Sequence, residues 1–244
     1  MPVRVGTSGF SYKEWKGTFY PEKMKAADML RFYAGRFGTV EINNTFYRMP
    51  TAPLLARWAE ETPESFRFVL KAPQRITHRK RLANAGEDVA YFLETARQLG
   101  RKLGPLLFQL PPNLQKDLDR FSGFLAGLPG GQPVAFEFRH PSWFDAPVYD
   151  ALRERDAALC AAEIDEPGGL PEAPLSTASW GYLRLRRAEY SDAELLAWAR
   201  RVADQGWKET YVFFKHEDQG RGPDFAARFA AVVAAPTGPP GSAG

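Results

Sequence analysis

Eight short apolar segments recur along the chain, each separated from the next by a stretch long enough for a helix. They are Val3–Thr7, Thr39–Asn43, Phe66–Ala72, Pro105–Leu110, Val134–Arg139, Ala158–Ile164, Gly181–Arg186 and Thr210–His216. Each is rich in Val, Leu, Ile or Phe, as expected of strands whose two faces are both buried in a parallel sheet. The intervening segments place apolar residues on one helical face: Ala26–Phe37, Pro53–Glu60, Asp88–Leu99, Leu118–Leu128, Val148–Arg155, Asp192–Ala203 and Asp224–Val233. Ser191 to Glu194 has the pattern of a capping box. Glu166–Ser179 is rich in Pro and Gly and reads as a loop.

Alternating strands and helices predict an α/β fold with a parallel sheet. Eight units in residues 1–235 predict a single (β/α)8 TIM-type barrel domain. An open doubly wound sheet would carry a G-x-G-x-x-G turn after its first strand, and Gly6-Thr7-Ser8-Gly9 lacks that spacing. The low-complexity tail, residues 236–244, is expected to be disordered.

Composition narrows the class of protein. Hydrophobic residues at 44% and charged residues at 25% are those of a soluble globular chain. No apolar run is long enough to span a bilayer, and the N-terminus lacks the pattern of a signal peptide, so a cytoplasmic protein without membrane partners is expected. Cys160 is the only cysteine, which leaves no intrachain disulfide and no Cys-based zinc site. The net charge of +3 is too small to imply nucleic-acid binding by itself. Where the 22 arginines and 10 lysines sit matters more than their number.

In a barrel of this kind, chemistry belongs at the C-terminal ends of the strands. Several strands turn polar just there: Glu41 and Asn43, Lys71, Gln109, Glu137 with Arg139 and His140, Glu163 and Asp165, Arg184 and Arg186, and Lys215. Side chains two apart share a face of a strand, and a charge inside an apolar strand is costly unless paired. The recurrence of such pairs points to one shared polar centre, either a ligand site or a closed salt-bridge plug. Read as a site, it has Glu41, Glu137 and Lys71 as catalytic candidates. Ser8, Asn43, Gln109, Arg139, His140, Trp143, Arg184 and Arg186 are its candidates for substrate binding. A carboxylate beside guanidinium groups can act as a general base while the arginines hold an anion. The expectation is therefore an enzyme, of hydrolase or lyase type, for a small anionic or phosphate-bearing substrate. The alternative is a non-catalytic binder of such a ligand or of nucleic acid.

The basic run Arg75–Arg81 is expected to form the rim and, if the partner is nucleic acid, to contact phosphates. Loop aromatics such as Phe10, Tyr12, Phe46, Tyr47 and Trp143 roof the site, with Trp143 the foremost candidate for ligand contact. The histidines, His78, His140 and His216, fall on three segments without zinc-ligand spacing, and no metal site is assigned. The carboxylates are of the type that takes a hard divalent ion. The sequence names no cofactor and no oligomeric state.

Five motifs in order carry a resemblance. They are Gly6-Thr7-Ser8-Gly9-Phe10-Ser11-Tyr12 with Trp15 and Phe19-Tyr20-Pro21; Thr39-Val40-Glu41-Ile42-Asn43-Asn44-Thr45-Phe46-Tyr47; Phe66-Arg67-Phe68 through Lys71-Ala72-Pro73 to His78; Phe108-Gln109-Leu110-Pro111-Pro112; and Glu137-Phe138-Arg139-His140-Pro141-Ser142-Trp143. Together they resemble the YecE-like family, domain of unknown function seventy-two, over about residues 3 to 233. The resemblance implies a TIM-type barrel and supplies no activity. Lys215-His216-Glu217-Asp218 departs from the Phe-Asn-Asn form of many members.

Overall fold

The computed structural model describes residues 2–163, 176–215 and 220–235. The strands are β1 (Val3–Thr7), β2 (Thr39–Ile42), β3 (Arg67–Lys71), β4 (Leu103–Gln109), β5 (Val134–Glu137), β6 (Ala158–Ala162), β7 (Gly181–Leu185) and β8 (Thr210–Phe214). The helices are α1 (Met29–Ala34), α2 (Ala52–Glu60), α3 (Gly86–Ala96), α4 (Leu118–Gly127), α5 (Ala146–Glu154), α6 (Asp192–Ala203) and α7 (Arg221–Ala234). The expected ends of the sixth and eighth strands at Ile164 and His216, together with Asp165, most of the loop Glu166–Ser179 and the tail 236–244, lie outside the described residues.

All neighbouring strands are parallel, in the order β1-β8-β7-β6-β5-β4-β3-β2. The two edges meet where Ser8 bridges Glu41 in parallel register, and the Gly9 N–H donates to the Glu41 carbonyl at 2.8 Å. The sheet is thereby a nearly closed barrel. Gly6 permits this seam, because a Cβ there would fall 2.1 Å from the Thr39 carbonyl oxygen. Gly9 turns the chain out of the seam at φ +91°, a conformation disfavoured for side chains with a Cβ.

Local signals set the helices. Ser191 and Glu194 make the reciprocal bonds of a capping box at α6. Asp117 accepts from the Arg120 N–H at 3.0 Å to start α4. α1 is shorter than its apolar pattern, since Ala26–Asp28 form a 3-10 turn ahead of it. The larger core lies between strands and helices and includes Phe68, Phe92, Phe108, Phe121 and Phe136. A second core fills the barrel with Val69, Leu107, Ala135, Cys160, Tyr182, Tyr211 and Phe213. These interior positions fix the parity of β3 to β8, and one step further along, the same parity places Lys71, Gln109, Glu137 and Arg184 at the barrel's C-terminal end.

Candidate functional site

Glu41, Glu137 and Arg184 form the floor of the site, all of them buried. Arg184 reaches both carboxylates. Its Nη2 donates to Glu41 Oε1 at 2.8 Å, and its Nη1 donates to Glu137 Oε2. Glu41 also accepts from the Tyr182 hydroxyl at 2.6 Å, the Ser8 hydroxyl at 2.8 Å and the Asn43 amide at 3.1 Å. Ser8 is thus a donor to a carboxylate within the barrel seam.

Burial alone would raise both carboxyl pKa values. For Glu41 it is outweighed by the Arg184 charge and by the bonds from Tyr182 and Ser8, so the pKa lies below the ordinary value. For Glu137 burial is outweighed by Arg184, Arg139 and Arg186, which hold it at about 2. Both are carboxylates at neutral pH.

Above this floor lie Lys71, Arg139 and Arg186, each partly exposed. Arg139 pairs with Glu137 Oε1, while Arg186 stands 3.6 Å from the same oxygen. The buried Nε of Arg139 and Oδ1 of Asn43 make no hydrogen bond among the described residues. Lys71 Nζ donates to Gln109 Oε1 at 2.6 Å and lies 4.3 Å from the centre of the Phe46 ring. Burial and the charge of Arg184 bring the Lys71 pKa down to about 8, against the opposing pull of Glu137 and Glu41. Asn43 also lines a cleft of about 340 Å³ beside the loop after β1, together with Phe10, Tyr12 and Trp58.

Six residues expected to converge therefore do so: Glu41, Lys71, Gln109, Glu137, Arg139 and Arg184. Ser8, Asn43 and Arg186 join them. His140 sits half-buried at the entry of a 3-10 turn, with Nδ1 2.8 Å from the Ser142 hydroxyl. Tyr182 was missed, although it stands two residues before Arg184 and so shares its face.

Two expectations are corrected. Trp143 is not a ligand contact: the turn Pro141–Trp143 folds its ring onto Phe138, with centroids 4.9 Å apart, and its Nε1 donates to the Leu114 carbonyl at 2.7 Å. It is 2% exposed. Glu163 does not join the centre. Cys160 carries the inward parity of β6, so Glu163 faces outward, where it accepts from Trp198 Nε1 at 3.1 Å and from the Tyr190 hydroxyl. The basic run Arg75–Arg81 keeps Arg75, Arg79 and Arg81 exposed. Arg75–Arg79 form a π-helical turn, and Arg75 and Lys80 pair with Asp88 at 2.6 and 2.7 Å. Among the described residues no three His, Cys, Asp or Glu side chains are grouped to hold a metal ion, and no helix is long and apolar enough to cross a membrane.

The family profile described as "Protein of unknown function DUF72" matches residues 4–242. The chain belongs to the DUF72 family. Curated relatives include the UPF0759 protein YunF of Bacillus subtilis, 26% identical over 235 residues, which covers 89% of this chain and 79% of YunF. The UPF0759 protein YecE of Escherichia coli is 35% identical over 116 residues, covering 47% of this chain and 43% of YecE. Among solved structures, a DUF72 family protein from Thermotoga maritima superposes with a TM-score of 0.84 at 29% identity, over 96% of this chain and 99% of that one. More distant barrels share the fold alone: a chain described as a xylose isomerase-like TIM barrel fused to 4-hydroxyphenylpyruvate dioxygenase has a TM-score of 0.54 at 12% identity, over 95% of this chain and 42% of that one.

Proposed function

We propose that this DUF72 protein is an enzyme that takes a small anionic substrate, bearing a phosphate or carboxylate, at the C-terminal end of its barrel. One observation carries the reading. Among the described residues the charged cluster sets four cationic side chains, three contacting arginines, Arg139, Arg184 and Arg186, and Lys71 beside them, against two carboxylates, Glu41 and Glu137. Two positive charges are left over among the described residues, and they lie on the solvent side. A closed plug would balance its charges, because an uncompensated buried charge is costly. An anion completes the balance here, with Arg139 and Arg186 as its holders.

The geometry also redistributes the expected roles. Glu41 and Glu137 hold Arg184 and, with lowered pKa values, are weak proton acceptors at neutral pH. Lys71 is the group in the cluster whose pKa lies near the working range of a general acid or base. A nucleic-acid partner has less support, because Arg75 and Lys80 of the basic run are already engaged by Asp88.

Titration calorimetry with inorganic phosphate and with pyruvate tests the reading. Saturable binding of at least one is expected, weakened about tenfold by Arg186→Ala, which corresponds to about 1.4 kcal/mol. Absence of binding to either anion at millimolar concentration would overturn it.

A further inference from the structure

The anion site gives the amine of Lys71 a place beside the substrate but no covalent role. Its side-chain acceptor is neutral, the amide oxygen of Gln109 at 2.6 Å. Among the described residues no carboxylate lies within ion-pair distance of it, while Glu41 and Glu137 are both bound by arginine. The ring of Phe46 covers it at 4.3 Å, and Lys71 ends β3 on the inward parity of Val69. This is a half-buried amine at the edge of a cationic cluster, held by an amide rather than neutralised by a carboxylate.

We propose that Lys71 forms an imine with the carbonyl carbon of an anionic aldehyde or ketone whose phosphate or carboxylate is held by Arg139 and Arg186. The proposal rests on the anion-site reading above and names its substrate class. The step balances without oxidant or reductant. The Nζ lone pair forms the C–N bond as the carbonyl π electrons move to oxygen. Both protons of the amine pass to that oxygen, the C–O bond breaks, and one water leaves, giving the C=N bond. Two features of the site favour this. Desolvation and neighbouring cations are the usual means of keeping a lysine nucleophilic, and with a pKa of about 8 its neutral fraction at about pH 7.5 is on the order of 200 times that of an ordinary lysine. The guanidinium groups supply the orientation that a nucleophile alone lacks.

Reductive trapping tests it. The protein is incubated with glyceraldehyde 3-phosphate, or in parallel with neutral glyceraldehyde, in the presence of cyanoborohydride, and adducts are mapped by peptide mass spectrometry. Lys71 should carry the adduct at least tenfold faster than exposed Lys13, and inorganic phosphate should protect it against the phosphorylated probe. In Lys71→Arg, which keeps the charge, that adduct should vanish from the peptide while phosphate binding persists. Labelling of Lys71 no faster than Lys13 overturns the imine, and if phosphate still binds, the anion site stands without it. Preferential labelling of Lys71 by both probes alike, with no protection by phosphate, keeps the imine and overturns the anion site. Because the wild-type map decides, the result does not depend on the variant folding.

Discussion

Arg184 and Arg186 are two residues apart on one run of chain and face the same way, yet they do opposite things. Arg184 lies within the floor, 1% exposed, and divides its guanidinium between two buried carboxylates. Arg186 lies one step nearer solvent, and the carboxylate oxygen nearest to it among the described residues, 3.6 Å away, is already paired with Arg139. Glu137, the last residue of β5, and Arg139 just beyond it repeat the contrast. In this barrel a step of two residues separates charges that hold the structure together from charges left with capacity for a ligand. The residue type is the same, and the burial and the number of partners decide.

The sharpest way to break that contrast is at the floor. Arg184→Met leaves buried Glu41 without its cationic partner and Glu137 with Arg139 and Arg186 alone, and should cost ~3–5 kcal/mol of stability or prevent folding. Urea unfolding measures it, and a loss below about 1 kcal/mol would mean that the floor is not held by Arg184.

Acid should expose the same tier. Glu137 has a folded pKa of about 2, below its unfolded value of roughly 4.3. A depressed carboxyl pKa stabilises the fold above the unfolded value, and that stability is lost as pH falls from there toward the folded value. The full loss, complete only below about pH 2, should be on the order of 3 kcal/mol for Glu137, with about half of it reached by pH 3. Urea midpoints between about pH 6 and pH 3 should fall steeply in the wild type and less steeply in Glu137→Gln.

The upper tier should respond in the opposite way. Arg139→Ala leaves Glu137 still paired with Arg184, so its cost should stay near 1 kcal/mol, within the range for a partly exposed ion pair. Phosphate binding should fall about tenfold, a loss of comparable size. A stability loss of ~3–5 kcal/mol without an effect on binding would place Arg139 in the floor instead.

How much of this could be read from the sequence follows from the range of each interaction. Alternating apolar runs are local, and they indicated eight parallel strands because each strand is buried on both faces. The convergence of Glu41, Lys71, Gln109, Glu137 and Arg184 followed from strand-end position alone. Glu163 went astray because parity is set by pairing: Ala162 aligns with Arg184 across the β6–β7 ladder, and a one-residue shift exchanges the faces. Trp143 went astray because a three-residue turn reverses the chain onto Phe138, a contact that strand position does not encode. The division into two tiers was not legible at all. It depends on distances across the barrel, from β7 to β2 and β5, which arise only when the seam at Ser8 closes.

The smallest effect is the most specific to the upper tier. The folded pKa of Lys71, about 8, lies below its unfolded value of about 10.4. Between those values the unfolded chain holds more protons than the folded one, so stability rises with pH. The buried tyrosines act with the opposite sign: burial raises Tyr33, Tyr182 and Tyr190 above the ordinary value, so the stability they contribute is lost once pH passes about 10. The window in which Lys71 acts without them is therefore about pH 8 to 9.5. Across it the wild type should gain about 1 kcal/mol relative to Lys71→Met, an amount reduced from the full shift because the amine is partly exposed. Parallel curves for the two proteins would show that Lys71 is protonated in the fold much as it is in the unfolded chain. That would remove the electrostatic basis for treating it differently from the surface lysines, while leaving the arginines of the tier as anion holders.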